Sequence, residues 1–111
     1  MNVLLFGATG MIGQGVLLEC LRDIGVQQIT TIGRGTTGVR DARLREIVHK
    51  DLGDFSGMEA ALADHDACFY CLGVSSSGMS EAEYTRITYG FTLAAAQMLS
   101  VASPGAAFIY V

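Results

Sequence analysis

The segment Phe6-Gly7-Ala8-Thr9-Gly10-Met11-Ile12-Gly13 contains three glycines, each separated from the next by two residues. It follows the apolar run from Asn2 to Phe6, which is short enough for a buried strand. After it, apolar residues recur at helical spacing until Gly25 stops the pattern. A helix that starts at such a turn directs its free N–H groups and a partial positive charge at an anion. The stretch therefore predicts a βα turn that binds phosphate.

The glycines of this turn have separate predicted roles. Gly7 makes the tight turn out of the strand, and Gly10 lets phosphate approach the backbone without a Cβ in the way. Gly13 lets the helix pack closely on the sheet, and Thr9 adds a hydroxyl donor. The alternative is a glycine-rich turn that holds no ligand.

Strand-like and helix-like segments alternate along the rest of the chain. Strands are predicted over 2–6, 28–32, 45–50, 66–72 and 106–111. A first helix is predicted over 12–24. Two more helices begin at capping boxes, one at 56–59 that continues through 62 and one at 80–83 that continues to about 101. Alternation of this kind implies a parallel sheet with helices on both faces. Right-handed crossovers then give a doubly wound, Rossmann-like α/β fold of about five strands in one domain.

Composition excludes several classes of protein. Half of the 111 residues are hydrophobic and 16% are charged, which predicts a packed core. The net charge of -4 argues against nucleic acid or an anionic membrane as partner. No run approaches the roughly 20 apolar residues that cross a bilayer, and the start lacks the pattern of a signal peptide. We therefore expect a cytoplasmic protein.

The cysteines and histidines predict no redox or metal chemistry. Cys68 and Cys71 have the C-x-x-C spacing, but they lie in an apolar run that indicates a strand. Residues three apart on a strand point to opposite faces, so we interpret both as buried structural thiols, like Cys20. His49 and His65 stand apart from other ligand residues, and no metal site is expected.

The segment Gly7-Ala8-Thr9-Gly10-Met11-Ile12-Gly13 resembles the G-x-x-G-x-x-G turn of the short-chain dehydrogenase/reductase superfamily. The similarity is greatest to its extended and atypical members, the NAD(P)-dependent epimerase/dehydratase-like and NmrA-like proteins. It continues through Arg34 after the second strand, Asp51-Leu52 after the third and Cys71-Leu72-Gly73 after the fourth. The resemblance implies a nicotinamide dinucleotide as cofactor.

The end of the second strand favours NADP(H) over NAD(H). Relatives usually carry an acidic residue there to hold the ribose hydroxyls, whereas this chain has Gly33-Arg34. A guanidinium offers several charged donors to a 2′-phosphate, and Arg40 in the same loop could assist. The alternative is that Arg34 is a solvated loop residue.

The resemblance also implies further contacts to the cofactor. Asp51 would accept a hydrogen bond from the adenine amine with Leu52 packed nearby, although a loop carboxylate or a helix-start residue is a nearly equal alternative. The segment Cys71-Leu72-Gly73 would line the cofactor where many relatives carry an Asn-Ala-Gly-like segment. Ser75 to Ser77 fall where relatives often contact substrate or cofactor, and loop solvation explains them equally well. The predicted cofactor-binding residues are Gly7, Thr9, Gly10, Met11, Ile12, Gly13, Arg34, Asp51, Leu52, Cys71, Leu72 and Gly73.

The catalytic residues of hydride-transferring relatives have no match in this sequence. Those relatives share a serine after the fifth strand and a downstream Tyr-x-x-x-Lys. Lys50 is the only lysine here, so neither Tyr84 nor Tyr89 is followed by one four residues later. We therefore interpret the chain as the cofactor-binding front part of a longer reductase, truncated before that region.

Three functions remain open from the sequence. The first is an NADP(H)-dependent oxidoreductase that transfers hydride to or from a small carbonyl or alcohol substrate. The second is an NmrA-like regulator that senses the cofactor without chemistry, and the third is a Rossmann-like interaction domain with an empty site. An uncovered sheet edge or face would favour association with a second copy of the chain.

Overall fold

The computed structural model describes residues 1–72, 78 and 80–111, which contain five strands and three helices. The strands are β1 Asn2–Phe6, β2 Gln28–Gly33, β3 Leu44–Val48, β4 Ala67–Tyr70 and β5 Ala107–Tyr110. The helices are α1 Met11–Arg22, α2 Glu59–Leu62 and α3 Glu81–Ala102. All strands are parallel in the order β3-β2-β1-β4-β5. The doubly wound, Rossmann-like fold predicted from the sequence is confirmed.

The strand order reverses beside β1. The chain moves outward from β1 to β2 and β3, then returns and continues on the other side with β4 and β5. Such a switch leaves a crevice at the carboxyl ends of the strands, where ligands of open α/β sheets bind. The four residues from Val3 to Phe6 are all buried, as expected for a strand covered on both faces.

The helices cover both faces of the sheet. On one face, α2 and α3 enclose the first core cluster: Leu4, Phe6, Ile32, Phe55, Leu62, Cys68, Tyr70, Ala95 and Leu99. On the other face, α1 encloses the second: Val3, Leu5, Ala8, Leu17, Cys20, Val26 and Ile29. The alternation of β1 residues between the two clusters follows from the twofold periodicity of a strand.

A buried polar network joins the end of α3 to the sheet. The Ser103 hydroxyl donates to the Leu62 carbonyl at 2.6 Å and accepts from the His65 backbone N–H at 3.0 Å. The His65 ring lies 3.0 Å from the Leu62 carbonyl and 3.1 Å from the Thr30 hydroxyl. Because buried polar groups are costly unless paired, this network explains how a histidine is accommodated in the core.

The two predicted capping boxes have different outcomes. At the start of α3, the Ser80 hydroxyl accepts from the Glu83 N–H at 3.1 Å, so this N-cap prediction is confirmed. The prediction for α2 is wrong, because Met58 is its N-cap and no side chain caps the helix. The Ser56 hydroxyl instead donates to the Asp54 carboxylate at 2.6 Å, since that local turn offers a nearer, charged acceptor. Among the described helices, none combines the length and apolar composition needed to cross a membrane.

Helix α1 lies close to the β1–α1 turn because of Gly13. A Cβ built on Gly13 would overlap the Gly7 carbonyl oxygen and lie 2.6 Å from the Gly7 carbonyl carbon. Both neighbours are backbone atoms, which cannot rotate away. A Cβ on Gly15, half a turn further along, would meet no atom within 4 Å. Gly13 is therefore required by packing, and Gly15 is not.

This contrast gives a paired stability prediction. We expect Gly13→Ala to lower the free energy of unfolding by about 2 kcal/mol or more, since α1 would have to move off the turn. Gly15→Ala should raise it by about 0.5–1 kcal/mol through helix propensity. Urea unfolding of both variants measures the difference, and equal effects of the same sign would contradict this account of α1 packing.

Candidate functional site

The turn after β1 is in backbone contact with the end of β4. Gly7 has a φ of +82°, in the left-handed region that favours glycine. A Cβ at this position would lie 2.7 Å from the Cys71 carbonyl carbon and 2.8 Å from the Leu72 nitrogen. The Cys71 N–H donates to the Phe6 carbonyl at 3.0 Å, which continues the pairing of β1 with β4. Two segments predicted to bind the cofactor are thus brought together at one edge of the sheet.

Helix α1 begins at this edge, and its first turn contains backbone donors that precede the helical hydrogen-bond pattern. Its N-cap is Gly10, and no side chain caps the helix. The first bond of the helical pattern runs from the Gln14 N–H to the Gly10 carbonyl at 2.9 Å, so the N–H groups of Met11, Ile12 and Gly13 precede it. These three donors have no partner among residues 1–72, 78 and 80–111, and together with the positive end of the helix dipole they suit an anion.

Gly10 differs from the other two glycines of the turn. Its φ of -77° is open to any residue, and a Cβ there would come no closer than 3.6 Å to another atom, the Gly7 carbonyl oxygen. The protein itself therefore does not require a glycine at this position. A side chain would instead project over the free N–H groups, so its absence keeps them open to a group from outside.

The side chains around the helix start leave it accessible. Met11 is 91% exposed and Ile12 is 59% exposed, and Thr9 is also exposed. The Thr9 carbonyl accepts from the Gln14 side chain at 2.9 Å, which orients the loop, while the Thr9 hydroxyl stays on the surface. A ligand could therefore reach the backbone donors without displacing a packed side chain.

The loop after β2 carries Arg34 and is anchored at several points. The Thr37 N–H donates to the Glu46 carboxylate at 2.7 Å, and Val39 packs against the α1-side core. Arg43 closes the loop by binding carbonyls at the end of α1, including that of Leu21. Arg34 and Arg40 are exposed, and neither belongs to the ion pairs of the described residues, Arg22–Glu19 and Arg43–Asp41.

The segment after β3 lies beside this loop. Asp51 is exposed, and its carboxylate accepts from the Gly53 N–H at 3.0 Å, which leaves acceptor capacity for another partner. Leu52 is only 4% exposed, so its side chain packs in the interior. The ring of Phe91 lies 3.2 Å from where a Cβ of Gly53 would stand, which holds the segment against α3.

The segment after β4 is described only as far as Leu72. Cys71 is half-buried against the α1-side core, while Leu72 packs on the opposite side. Burial raises the pKa of the Cys71 thiol, so it is mostly uncharged near neutral pH. The predicted contacts from Gly73 and from Ser75, Ser76 and Ser77 fall outside the described residues.

The C-x-x-C pair is divided between the two cores. Cys68 lies in the cluster under α2 and α3, whereas Cys71 faces α1, as strand alternation predicts. Burial, and to a smaller extent the charge of Cys71, raises the pKa of Cys68 to about 12. All three cysteines are free thiols, and within residues 1–72, 78 and 80–111 no cluster of potential metal ligands forms.

Sequence reasoning missed the role of His49 at this edge. Its backbone N–H donates to the Gly33 carbonyl at 2.9 Å, and its ring nitrogen Nε2 lies 2.6 Å from the Asp54 carbonyl. The ring also stacks on Phe55 at 5.4 Å between centroids. His49 therefore ties the segment after β3 to the end of β2. The sequence places His49 inside the strand predicted over 45–50, whereas β3 ends at Val48 and His49 lies in the loop after it.

The parallel sheet, the strand switch and the open helix start define a Rossmann-like dinucleotide-binding domain. The model of the NAD dependent epimerase/dehydratase family matches residues 3–111, and the chain belongs to that family. Membership identifies a nicotinamide dinucleotide as the class of cofactor. No curated protein matches the chain.

Solved structures of short-chain dehydrogenases and their relatives share the fold. A short chain dehydrogenase family protein from Francisella tularensis has a TM-score of 0.73 at 16% identity, over 98% of this chain and 49% of that one. Uronate dehydrogenase from Agrobacterium tumefaciens has a TM-score of 0.74 at 15% identity, and the match covers 99% of this chain and 40% of that one. A dTDP-glucose 4,6-dehydratase from Streptomyces venezuelae, with NAD bound, has a TM-score of 0.69 at 22% identity, and the match covers 88% of this chain and 35% of that one. The chain thus spans less than half the length of these proteins.

The burial of Cys68 gives a prediction for its reactivity. At pH 8 a thiol with a pKa of about 12 is ionised in roughly one molecule in ten thousand, and the thiolate is the reactive form. In a variant that keeps only Cys68, iodoacetamide should modify the folded chain at least roughly tenfold more slowly than in the matched variant that keeps only Cys71. Mass spectrometry measures both rates, and urea should abolish the difference. Equal modification rates in the two folded variants would contradict the greater burial and the higher pKa of Cys68.

Proposed function

We propose that this chain is the NADP(H)-binding part of an oxidoreductase of the short-chain type, which transfers hydride to or from a small carbonyl or alcohol substrate. When bound, the nicotinamide accepts or donates the hydride. The chain's own contribution is to bind and orient the dinucleotide. The proposal assigns no catalytic residue, because no tyrosine of this sequence is followed four residues later by lysine.

The observation that carries the proposal is the open start of α1 at Gly10. The N–H groups of Met11, Ile12 and Gly13 are free of helical partners, and the nearest atom to a Cβ at Gly10 would be 3.6 Å away. A pyrophosphate lying over Gly10 to Ile12 would accept from these donors and meet the positive end of the helix dipole. Family membership supports the same cofactor class.

The preference for NADP(H) rests on Arg34. It directly follows β2, at the carboxyl edge of the sheet, and its side chain is exposed and outside the ion pairs of the described chain. A guanidinium can donate two parallel hydrogen bonds to a phosphate, whereas the two ribose hydroxyls of NAD(H) would gain little from it. Asp51 then has a free carboxylate oxygen for the adenine amine.

A side chain at position 10 should separate binding from folding. We expect Gly10→Leu to weaken both NADPH and NADH at least roughly a hundredfold, because the leucine would cover the helix N–H groups that the pyrophosphate needs. The free energy of unfolding should fall by only about 1 kcal/mol, as for loss of a favourable N-cap residue. Calorimetric titration and urea unfolding measure the two quantities. A Gly10→Leu chain that binds as tightly as the parent would refute the proposed site.

Replacement of Arg34 tests the choice of cofactor. We expect Arg34→Ala to weaken NADPH by roughly thirtyfold through loss of charged hydrogen bonds, and NADH by less than threefold. Arg22→Ala is the control, since it removes the same charge from the exposed surface of α1. Titration calorimetry gives the dissociation constant of each variant relative to the parent chain, for NADPH and for NADH. Equal losses for the two cofactors would mean that Arg34 does not contact the 2′-phosphate.

A further inference from the structure

The ends of β2 and β3 place two cations at the same corner of the sheet. Gly33 pairs with Val48, and the His49 N–H extends this pairing with a 2.9 Å bond to the Gly33 carbonyl. Neighbouring strands lie about 4.8 Å apart, so the residues that follow leave the sheet side by side. Arg34 is the first residue after β2, and Lys50 is the second after β3.

The backbone around Lys50 is fixed on both sides. Before it, the His49 ring is held by the Asp54 carbonyl at 2.6 Å and by stacking on Phe55. After it, the Asp51 carboxylate accepts from the Gly53 N–H at 3.0 Å. Lys50 itself is exposed, and the two ion pairs of the described residues do not include it. Lys50 is therefore an exposed residue between two neighbours whose side chains are held by local contacts.

Arg34 and Lys50 place two positive charges at this corner of a chain that is negative overall, beside the carboxylate of Asp51. The protein has 7 Lys and Arg residues against 11 Asp and Glu, so its general field repels a phosphate dianion. A guanidinium that binds two phosphate oxygens leaves the third without a partner, and an ammonium can approach it as a point charge. Lys50 also offsets the negative charge of the neighbouring Asp51.

From this placement we propose that Lys50 is a second cation for the adenosine 2′-phosphate, acting beside Arg34. The inference rests on the proposed function, because it concerns the same end of the same cofactor. Under this inference, two residues that follow adjacent strands, Arg34 after β2 and Lys50 after β3, together discriminate NADP(H) from NAD(H). It also assigns a binding role to the single lysine of the sequence.

The test compares charge removal at Lys50 with matched changes in the whole 111-residue chain. Lys50→Met removes the charge and keeps an apolar stem, Lys50→Arg keeps the charge, and Arg22→Met removes a charge from the α1 surface. NADPH, NADH, adenosine 2′-phosphate and adenosine 5′-phosphate are titrated by calorimetry against each variant. Thermal unfolding of each variant shows whether the fold is retained.

The expected pattern is specific to the 2′-phosphate. Lys50→Met should weaken NADPH and adenosine 2′-phosphate about tenfold, as for loss of one hydrogen bond to a charged group, and should change NADH and adenosine 5′-phosphate less than twofold. Lys50→Arg should stay within about threefold of the parent for all four, and Arg22→Met should leave all four unchanged. This pattern would support the second cation.

Two other patterns would overturn the inference, and they are distinguishable. If the parent prefers NADPH and Arg34→Ala removes that preference, but Lys50→Met affects NADPH no more than Arg22→Met does, the proposed function stands and the role of Lys50 fails. If the parent binds neither dinucleotide, or binds NADH in preference to NADPH, the proposed function and the role of Lys50 fail together.

Discussion

Backbone packs directly against backbone around Gly7, and this contact leaves no room for side chains. A Cβ at Gly7 would collide with the Cys71 carbonyl, and a Cβ at Gly13 would collide with Gly7 itself. Three chain segments therefore meet at one point without side chains between them: the end of β1, the start of α1 and the end of β4. This contact lies at the carboxyl end of β1, where the strand order reverses and where ligands of open α/β sheets bind.

The sequence was informative where a residue type has one physical explanation. Glycines between an apolar strand and a periodic helix predicted the turn, and alternation of elements predicted the parallel sheet, because few arrangements satisfy either pattern. The capping box at Ser56 failed for the opposite reason: a serine can cap a helix or close a turn with equal chemistry. Asp54, two residues before Ser56, accepts from both its backbone N–H and its hydroxyl, and this local turn competes with the cap.

Residues predicted through family resemblance divide in a similar way. Arg34 and Asp51 are exposed at the carboxyl edge of the sheet, where a ligand could meet them. Leu52, by contrast, packs in the interior, since the ring of Phe91 and the turn at Gly53 hold its segment against α3. Which segments approach the cofactor stays a prediction from the resemblance, and the direction of each side chain depends on packing between distant elements. The same limit hid His49, whose partners Gly33 and Phe55 are separated from it in sequence.

The three glycines of the turn show how a structural requirement can be separated from a functional one. Gly7 and Gly13 are explained by the protein's own atoms, because any side chain there would meet backbone. Gly10 has ordinary dihedral angles and open space around it, so the folded chain alone gives no reason for a glycine. Helices commonly begin with a residue whose side chain caps the free N–H groups, and its absence leaves those donors unpaired. Water can occupy such exposed donors, whereas the pyrophosphate proposed above would also gain from the positive end of the helix dipole.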